Sequence, residues 1–176
     1  METRITKLIE GSAGGTASKN AKTYKISIPT KWVDDLSLNA REVELSFDGK
    51  TIFVKAKETL NEFVNNKKEL GHKLILIKVF DNDTLCSSVC ADFTDKTVKH
   101  ENYVVDCIKT PFGNNKTPSF TDFENYLKER CIPESRSGIR EYLDVLNIDF
   151  FEPLQIIKKT NGVMAEDNIH LETEEL

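Results

Sequence analysis

Cys86, Cys90, Cys107 and Cys131, together with His72, His100 and His170, are the side chains of this 176-residue chain best able to hold a metal ion. A structural zinc site needs four converging ligands, usually as two close pairs. Cys86 and Cys90 are four apart in a stretch that reads as a strand, where they share a face without turning toward one point. No second cysteine pair and no histidine close in sequence completes a set. The spacing therefore predicts no metal site, and thiols that act as small apolar groups. His72 and His100 fall near strand ends and are expected at the surface. Nucleophilic catalysis needs a nucleophile, a base and an orienting group, and neither a nucleophile elbow nor a Walker loop occurs. Gly11, Gly14 and Gly15 form a glycine-rich loop that lacks the Gly-Lys-Ser/Thr ending of a phosphate cradle, so it reads as a flexible connection. The expectation is a protein with no catalytic residues and no cofactor.

The remaining chemistry is charge. The chain carries a formal net charge of -5, but unevenly. Residues 1–57 hold ten Lys/Arg against seven Asp/Glu, and residues 58–176 hold fourteen against twenty-two. The first 31 residues set Arg4, Lys7, Lys19, Lys22, Lys25 and Lys31 against Glu2 and Glu10. A basic end on an acidic chain suits contact with nucleic acid through one surface. Ordinary solvated charge gives the same count, and charge alone leaves both readings open.

Composition narrows the class. The apolar fraction of 39% is below the usual ~45–50%, and the charged fraction of 30% is above the usual ~25%. Ten Phe and one Trp nevertheless supply enough bulk for a core, which excludes global disorder. No apolar run approaches the ~18 residues of a membrane span. Met1-Glu2-Thr3-Arg4 leads into no apolar signal core, and four cysteines are too sparse for a disulfide scaffold. A reducing cytoplasm is the expected setting.

The elements that must position the cations can be read from periodicity. Residues 4–9 alternate loosely and suggest a strand. Residues 11–18 form the glycine-rich loop. Tyr24-Lys25-Ile26-Ser27-Ile28 alternates strictly, with Tyr24, Ile26 and Ile28 on one face and Lys25 on the other. Pro29 ends this strand, and Trp32, Val33 and Leu36 predict about two turns of helix. Val43, Leu45 and Phe47 alternate, Asp48-Gly49 follows, and Ile52-Phe53-Val54 resumes, which is a strong hairpin signal. A unit of about 55 residues buries too little surface to be robust alone, so residues 1–57 need a partner subunit or the rest of the chain.

Residues 58–70 read as a linker or short helix, and residues 71–176 as an acidic α+β domain whose C-terminal half is helical. Within it, 74–80 is a central strand, and 84–93 and 97–105 are further strands with a turn between. Phe120, Phe123, Tyr126 and Leu127 share a helical face behind a Ser119/Asp122 cap. Ile139, Tyr142, Leu143 and Leu146 form a second stripe. Pro153 opens a third helix over 154–160 with Gly162 as its stop. The tail, 166–176, is acidic and expected to fray.

Thr23-Tyr24-Lys25-Ile26-Ser27-Ile28-Pro29-Thr30-Lys31-Trp32, followed by Arg41-Glu42-Val43-Glu44-Leu45-Ser46-Phe47-Asp48-Gly49-Lys50, resembles the AbrB/MazE/SpoVT family over about residues 3–57. The resemblance implies a swapped-hairpin barrel built by two chains, with Tyr24, Ile26, Ile28, Val43, Leu45 and Phe47 in the dimer core. It also implies binding of double-stranded DNA through Arg4, Lys7, Lys19, Lys22, Lys25 and Lys31. The loop between Glu10 and Lys22 is longer than in short members of that family. The stretch from Lys109-Thr110-Pro111-Phe112-Gly113 through Arg130-Cys131-Ile132-Pro133 to Glu166-Asp167 looks like small domains of bacterial proteins associated with HipA-type kinase toxins. That likeness implies a module that binds or neutralises a protein partner.

Together these features lead to the expectation of a homodimeric DNA-binding regulator, an antitoxin-like autorepressor, whose second domain holds a protein. The alternative is a mobile-element inhibitor of a nucleic-acid enzyme, acting through its acidic domain. Deleting 58–176 leaves DNA binding intact in the first case; deleting 1–57 leaves inhibition intact in the second.

Overall fold

The computed structural model describes residues 2–13 and 21–176. The chain is of mixed α+β class with antiparallel sheets, and it divides into two compact units, 1–57 and 58–176.

Unit 1 contains β1 (Ile9–Ser12), β2 (Lys22–Lys25), α1 (Thr30–Asp35), β3 (Val43–Phe47) and β4 (Ile52–Ala56). β1 pairs with β2 from Ile9↔Lys25 to Ser12↔Lys22. β3 pairs with β4 from Val43↔Ala56 to Phe47↔Ile52. The second hairpin closes because the Asp48 carboxylate accepts the amides of Lys50 and Thr51 at 2.8 and 2.7 Å, and Gly49 takes φ +95°. Those two backbone bonds hold the Asp48 carboxyl below its ordinary range.

The first hairpin corrects the expected strands. Pairing starts at Ile9 rather than at residue 4, it takes in Gly11 and Ser12 from the supposed loop, and it leaves Ile26-Ser27-Ile28 outside any strand. Alternation reports which side chains want burial, whereas a strand also needs a neighbour for its backbone. Within one chain that neighbour ends at the Ile9↔Lys25 pair. Lys19 and most of the glycine-rich loop lie outside the described residues. The strands of unit 1 form two separate two-stranded sheets, not a closed barrel, among the described residues.

Packing in unit 1 is correspondingly thin. Leu38 is its one buried hydrophobic residue among those described. Ile5, Leu45, Phe47 and Ile52 are each more than two-thirds exposed, and eight further large apolar side chains stand out in solvent. A two-stranded hairpin with an open apolar face is marginal in water.

Unit 2 contains α2 (Leu60–Glu69), β5 (Leu74–Asp81), β6 (Thr84–Asp92), β7 (Thr97–Asn102), α3 (Phe120–Glu129), α4 (Ile139–Leu146), α5 (Pro153–Thr160) and β8 (Ile169–Glu175), with a 3₁₀ turn at Cys107–Lys109. The sheet order is β7-β6-β5-β8, every pair antiparallel. One face presents Ile75, Ile77, Val79, Val89, Ala91 and Leu171 to Phe123, Leu127, Leu143, Ile156 and Ile157 of α3–α5. On the other face Leu74 and Cys90 pack against Leu60 and Phe63 of α2. Residues 58–70 are thus mostly helix. α2 and α3 both start on reciprocal caps, Thr59 with Glu62 and Ser119 with Asp122.

Three expectations are corrected here. The acidic tail is not frayed: β8 runs alongside β5 from Ile75↔Glu175 to Asp81↔Ile169, and Leu171 is fully buried. Its apolar residues alternate with Glu172 and Glu174, so the charge of the segment masked a half-buried strand. The third strand stops at Asn102, short of 105, and Val105 is wholly exposed in the turn that follows. His72 and His100 are not free surface groups. His72 is in an ionic cluster described below, and the His100 ring packs edge-on to Phe112 at 5.3 Å. No helix among the described residues is long and apolar enough to cross a membrane.

Candidate nucleic-acid interface

The predicted cations occupy both ends of the first hairpin and the entry to α1. Lys22 and Lys25 bracket β2, three positions apart, and therefore point to opposite faces. Lys22 lies on the face of Tyr24 and Glu10, where its ammonium is 2.9 Å from Glu10 Oε1 and the Tyr24 hydroxyl donates to Glu10 Oε2 at 3.4 Å. Lys25 points the other way and is exposed. Arg4 and Lys7 lie in the stretch before β1, also exposed.

Lys31, the second residue of α1, donates to Glu2 Oε1 at 3.0 Å. The next residue, Trp32, donates its indole N–H to Glu2 Oε2 at 2.6 Å. These two donors, Trp32 first and then Lys31, hold the Glu2 carboxyl below its ordinary range. Beside them is a groove of about 290 Å³ lined by Arg4, Ile26, Ile28, Trp32, Leu38 and Val54 among others. The structure thus brings Arg4 and Trp32 to one groove, and it pairs Lys22 and Lys31 with carboxylates that the charge count treated only as dilution. Glu2 and Lys31 are 29 residues apart, so no local spacing could have revealed the pair.

Unit 2 holds a second polar cluster. Asp92 ends β6 with its side chain fully buried. Its Oδ1 accepts the amides of Thr94 at 2.8 Å and Asp95 at 3.2 Å. Its Oδ2 is 2.7 Å from His72 Nδ1 and 3.0 Å from Lys67 Nζ. Lys67 also bonds the Asp95 carboxylate. Burial pushes the Asp92 carboxyl up, but the bonds from His72, Lys67, Thr94 and Asp95 outweigh it and hold it at about 2. An ionised carboxylate only accepts, so Nδ1 of His72 carries a proton. His72, Asp92 and Asp95 offer three ligand atoms within 4.8 Å of one another. The Lys67 ammonium already supplies positive charge to both carboxylates, so the cluster reads as a buried ionic tie between α2, the loop after it and the β6–β7 turn.

The other reactive groups are subdued. Cys86, Cys90 and Cys131 are buried and Cys107 is half-buried, all as free thiols. Burial pushes the Cys90 thiol up to about 12 and the Cys131 thiol to about 11, so neither is a thiolate near neutral pH. Arg130, at the end of α3, donates to the carbonyls of Gly162 and Ile169 and takes Asp167 in a two-pronged grip at 2.5 and 3.0 Å. The structure thereby joins two motifs noted 37 residues apart in the sequence. Their role is to lock the α5–β8 connection.

Comparison of the chain with known protein families, with curated proteins and with solved structures finds no match.

Proposed function

We propose that the chain is a dimeric DNA-binding transcriptional regulator, an antitoxin-like autorepressor, in which unit 1 dimerises and holds double-stranded DNA and unit 2 binds a protein partner. The observation that carries this reading is the poverty of the unit 1 core. Twelve large apolar side chains of unit 1 are exposed and only Leu38 is buried among those described. Together they offer on the order of 1,000 Å² of apolar surface, more than the ~800 Å² per partner of a standard interface. A second copy of the same unit supplies matching apolar strands, as the resemblance to the AbrB/MazE/SpoVT family implies. The hairpin that stops pairing at Ile9↔Lys25 leaves Ile26 and Ile28 available to such a partner. Arg4, Lys7, Lys25 and Lys31 give the dimer a basic surface, and β-strands with their flanking loops read the duplex, since α1 has only six residues.

The test is a salt titration of binding to the DNA upstream of the chain's own coding region. Three or four phosphate contacts per chain give about six to eight per dimer, so log K falls against log salt with a slope near -5 to -7. Absence of salt-dependent binding to that DNA and to bulk duplex overturns the regulator reading. Replacing Lys25 and Lys31 together by Ala should make the slope shallower by up to about four. An unchanged slope moves the DNA surface elsewhere.

A further inference from the structure

The Glu2 contact has a specific chemistry. Lys31 Nζ takes one carboxylate oxygen and Trp32 Nε1 takes the other, at 3.0 and 2.6 Å. Two donors on adjacent residues, one charged and one neutral, thus hold a group with a single negative charge and two equivalent terminal oxygens. A phosphodiester of duplex DNA has the same charge and the same pair of free oxygens. The Glu2 side chain is 62% exposed, so the carboxylate can leave without opening any core. Arg4, two residues along, lines the same groove as Trp32 and adds a second cation beside the seat.

We infer that Lys31 Nζ and Trp32 Nε1 form a seat for one DNA backbone phosphate and that Glu2 is its intramolecular occupant, displaced when duplex binds. This rests on the regulator reading and adds two residues to it. Trp32 is a phosphate ligand rather than only a groove wall, and Glu2 sets how much free energy the duplex must supply to enter. An exposed ion pair is weak and salt-sensitive, so the exchange is reversible and is most visible at low salt.

The test uses the full chain. Trp32 is the only tryptophan, so its indole N–H gives a single resonance in a proton–nitrogen spectrum. Glu2→Gln removes the competing charge and keeps the side-chain shape. It should tighten duplex binding about three- to tenfold at low salt and steepen the salt slope modestly, because salt screens the Glu2 pair that the phosphate must break while the number of phosphates held stays the same. Glu124→Gln, the same charge change on α3, is the control for a general electrostatic gain and should leave both quantities nearly unchanged. Addition of duplex to the Glu2→Gln chain should move the Trp32 indole resonance. Trp32→Phe, which keeps a ring in the groove without the N–H, should cancel most of the Glu2→Gln gain. If wild type binds duplex but Glu2→Gln matches Glu124→Gln, or the indole resonance stays in place, the seat is wrong and the regulator reading survives. If no variant binds duplex, the regulator reading falls and the seat with it.

Discussion

Asp92 shows how a single carboxylate is kept ionised inside the protein. Desolvation alone would raise its pKa, and four donors reverse that, from the usual 3.8 to about 2. The folded value is the lower one, so Asp92 contributes stability that is present above about pH 4 and is lost as pH falls from there toward 2. A shift of this size corresponds to about 2 kcal/mol. Denaturant unfolding of the full chain, followed through a probe in unit 2, should show that loss. Asp92→Asn should lower stability at neutral pH by about 3 kcal/mol, because Lys67 and His72 lose the charge they face. It should also flatten the acid limb. A variant as stable as wild type at pH 7 would show that the cluster is not a structural tie.

Arg130 works at the same scale with opposite charge. It is 10% exposed at its side chain and serves four acceptor atoms, two of them the backbone carbonyls of Gly162 and Ile169. Arg130→Lys keeps the charge but not the planar fork that meets Asp167 with two bonds. The expectation is a loss of about 2–3 kcal/mol for Lys and slightly more for Ala. Equal stability of Arg130→Lys and wild type in a thermal or denaturant melt would contradict the clamp.

At the scale of elements, β8 is the piece most dependent on that clamp. Gly162, at φ +60°, starts the turn into it, and a Cβ there would lie 3.0 Å from Leu171 Cδ1. Leu171 is fully buried beneath α5, while Glu172 beside it faces out. Leu171→Ala should therefore cost about 2–5 kcal/mol, and Glu172→Ala should stay within about 0.5 kcal/mol of wild type. Similar melting curves for the two variants would mean that the tail does not hold the sheet.

The same strand marks the limit of what the sequence disclosed. Helices α3 to α5 were legible because their apolar stripes are long and their caps and stops are local: Ser119, Pro153 and Gly162 each sit beside the element they bound. The β3–β4 hairpin was legible because Asp48 and Gly49 close it within four residues. β8 was missed because five acidic residues from Glu166 to Glu175 outweighed the alternation of Ile169 and Leu171. The β1–β2 register was missed for a different reason: an apolar alternation does not say where the backbone finds its partner. For the candidate interface, the cations were visible as a composition bias. The engagement of Lys22 with Glu10, and of Lys31 and the Trp32 indole with Glu2, was not, since these contacts depend on where the chain folds back.

The whole molecule joins a unit with a well-filled core to one without, and this asymmetry makes its assembly testable by one substitution. Leu45 is central in β3 and 70% exposed in the single chain. If unit 1 stayed as a monomer, Leu45→Asp would be a surface change worth no more than about 0.5 kcal/mol. If two copies of unit 1 close over their apolar strands, the same change buries an unpaired carboxylate. That costs several kcal/mol, or forces the carboxyl to take up a proton. The expected outcome is a dimer by light scattering for wild type at micromolar concentration, and a monomer for Leu45→Asp. In the variant, unit 1 amides should exchange rapidly with solvent while those of β5 and β6 stay protected, because the residues of both buried clusters around that sheet belong to unit 2 itself. Duplex binding should fall with the dimer, since two half-surfaces joined contact about twice the phosphates of one. A monomeric wild type, or a variant that keeps both its dimer mass and its unit 1 protection, would remove the dimeric interface and with it the reason for the exposed apolar face of β3.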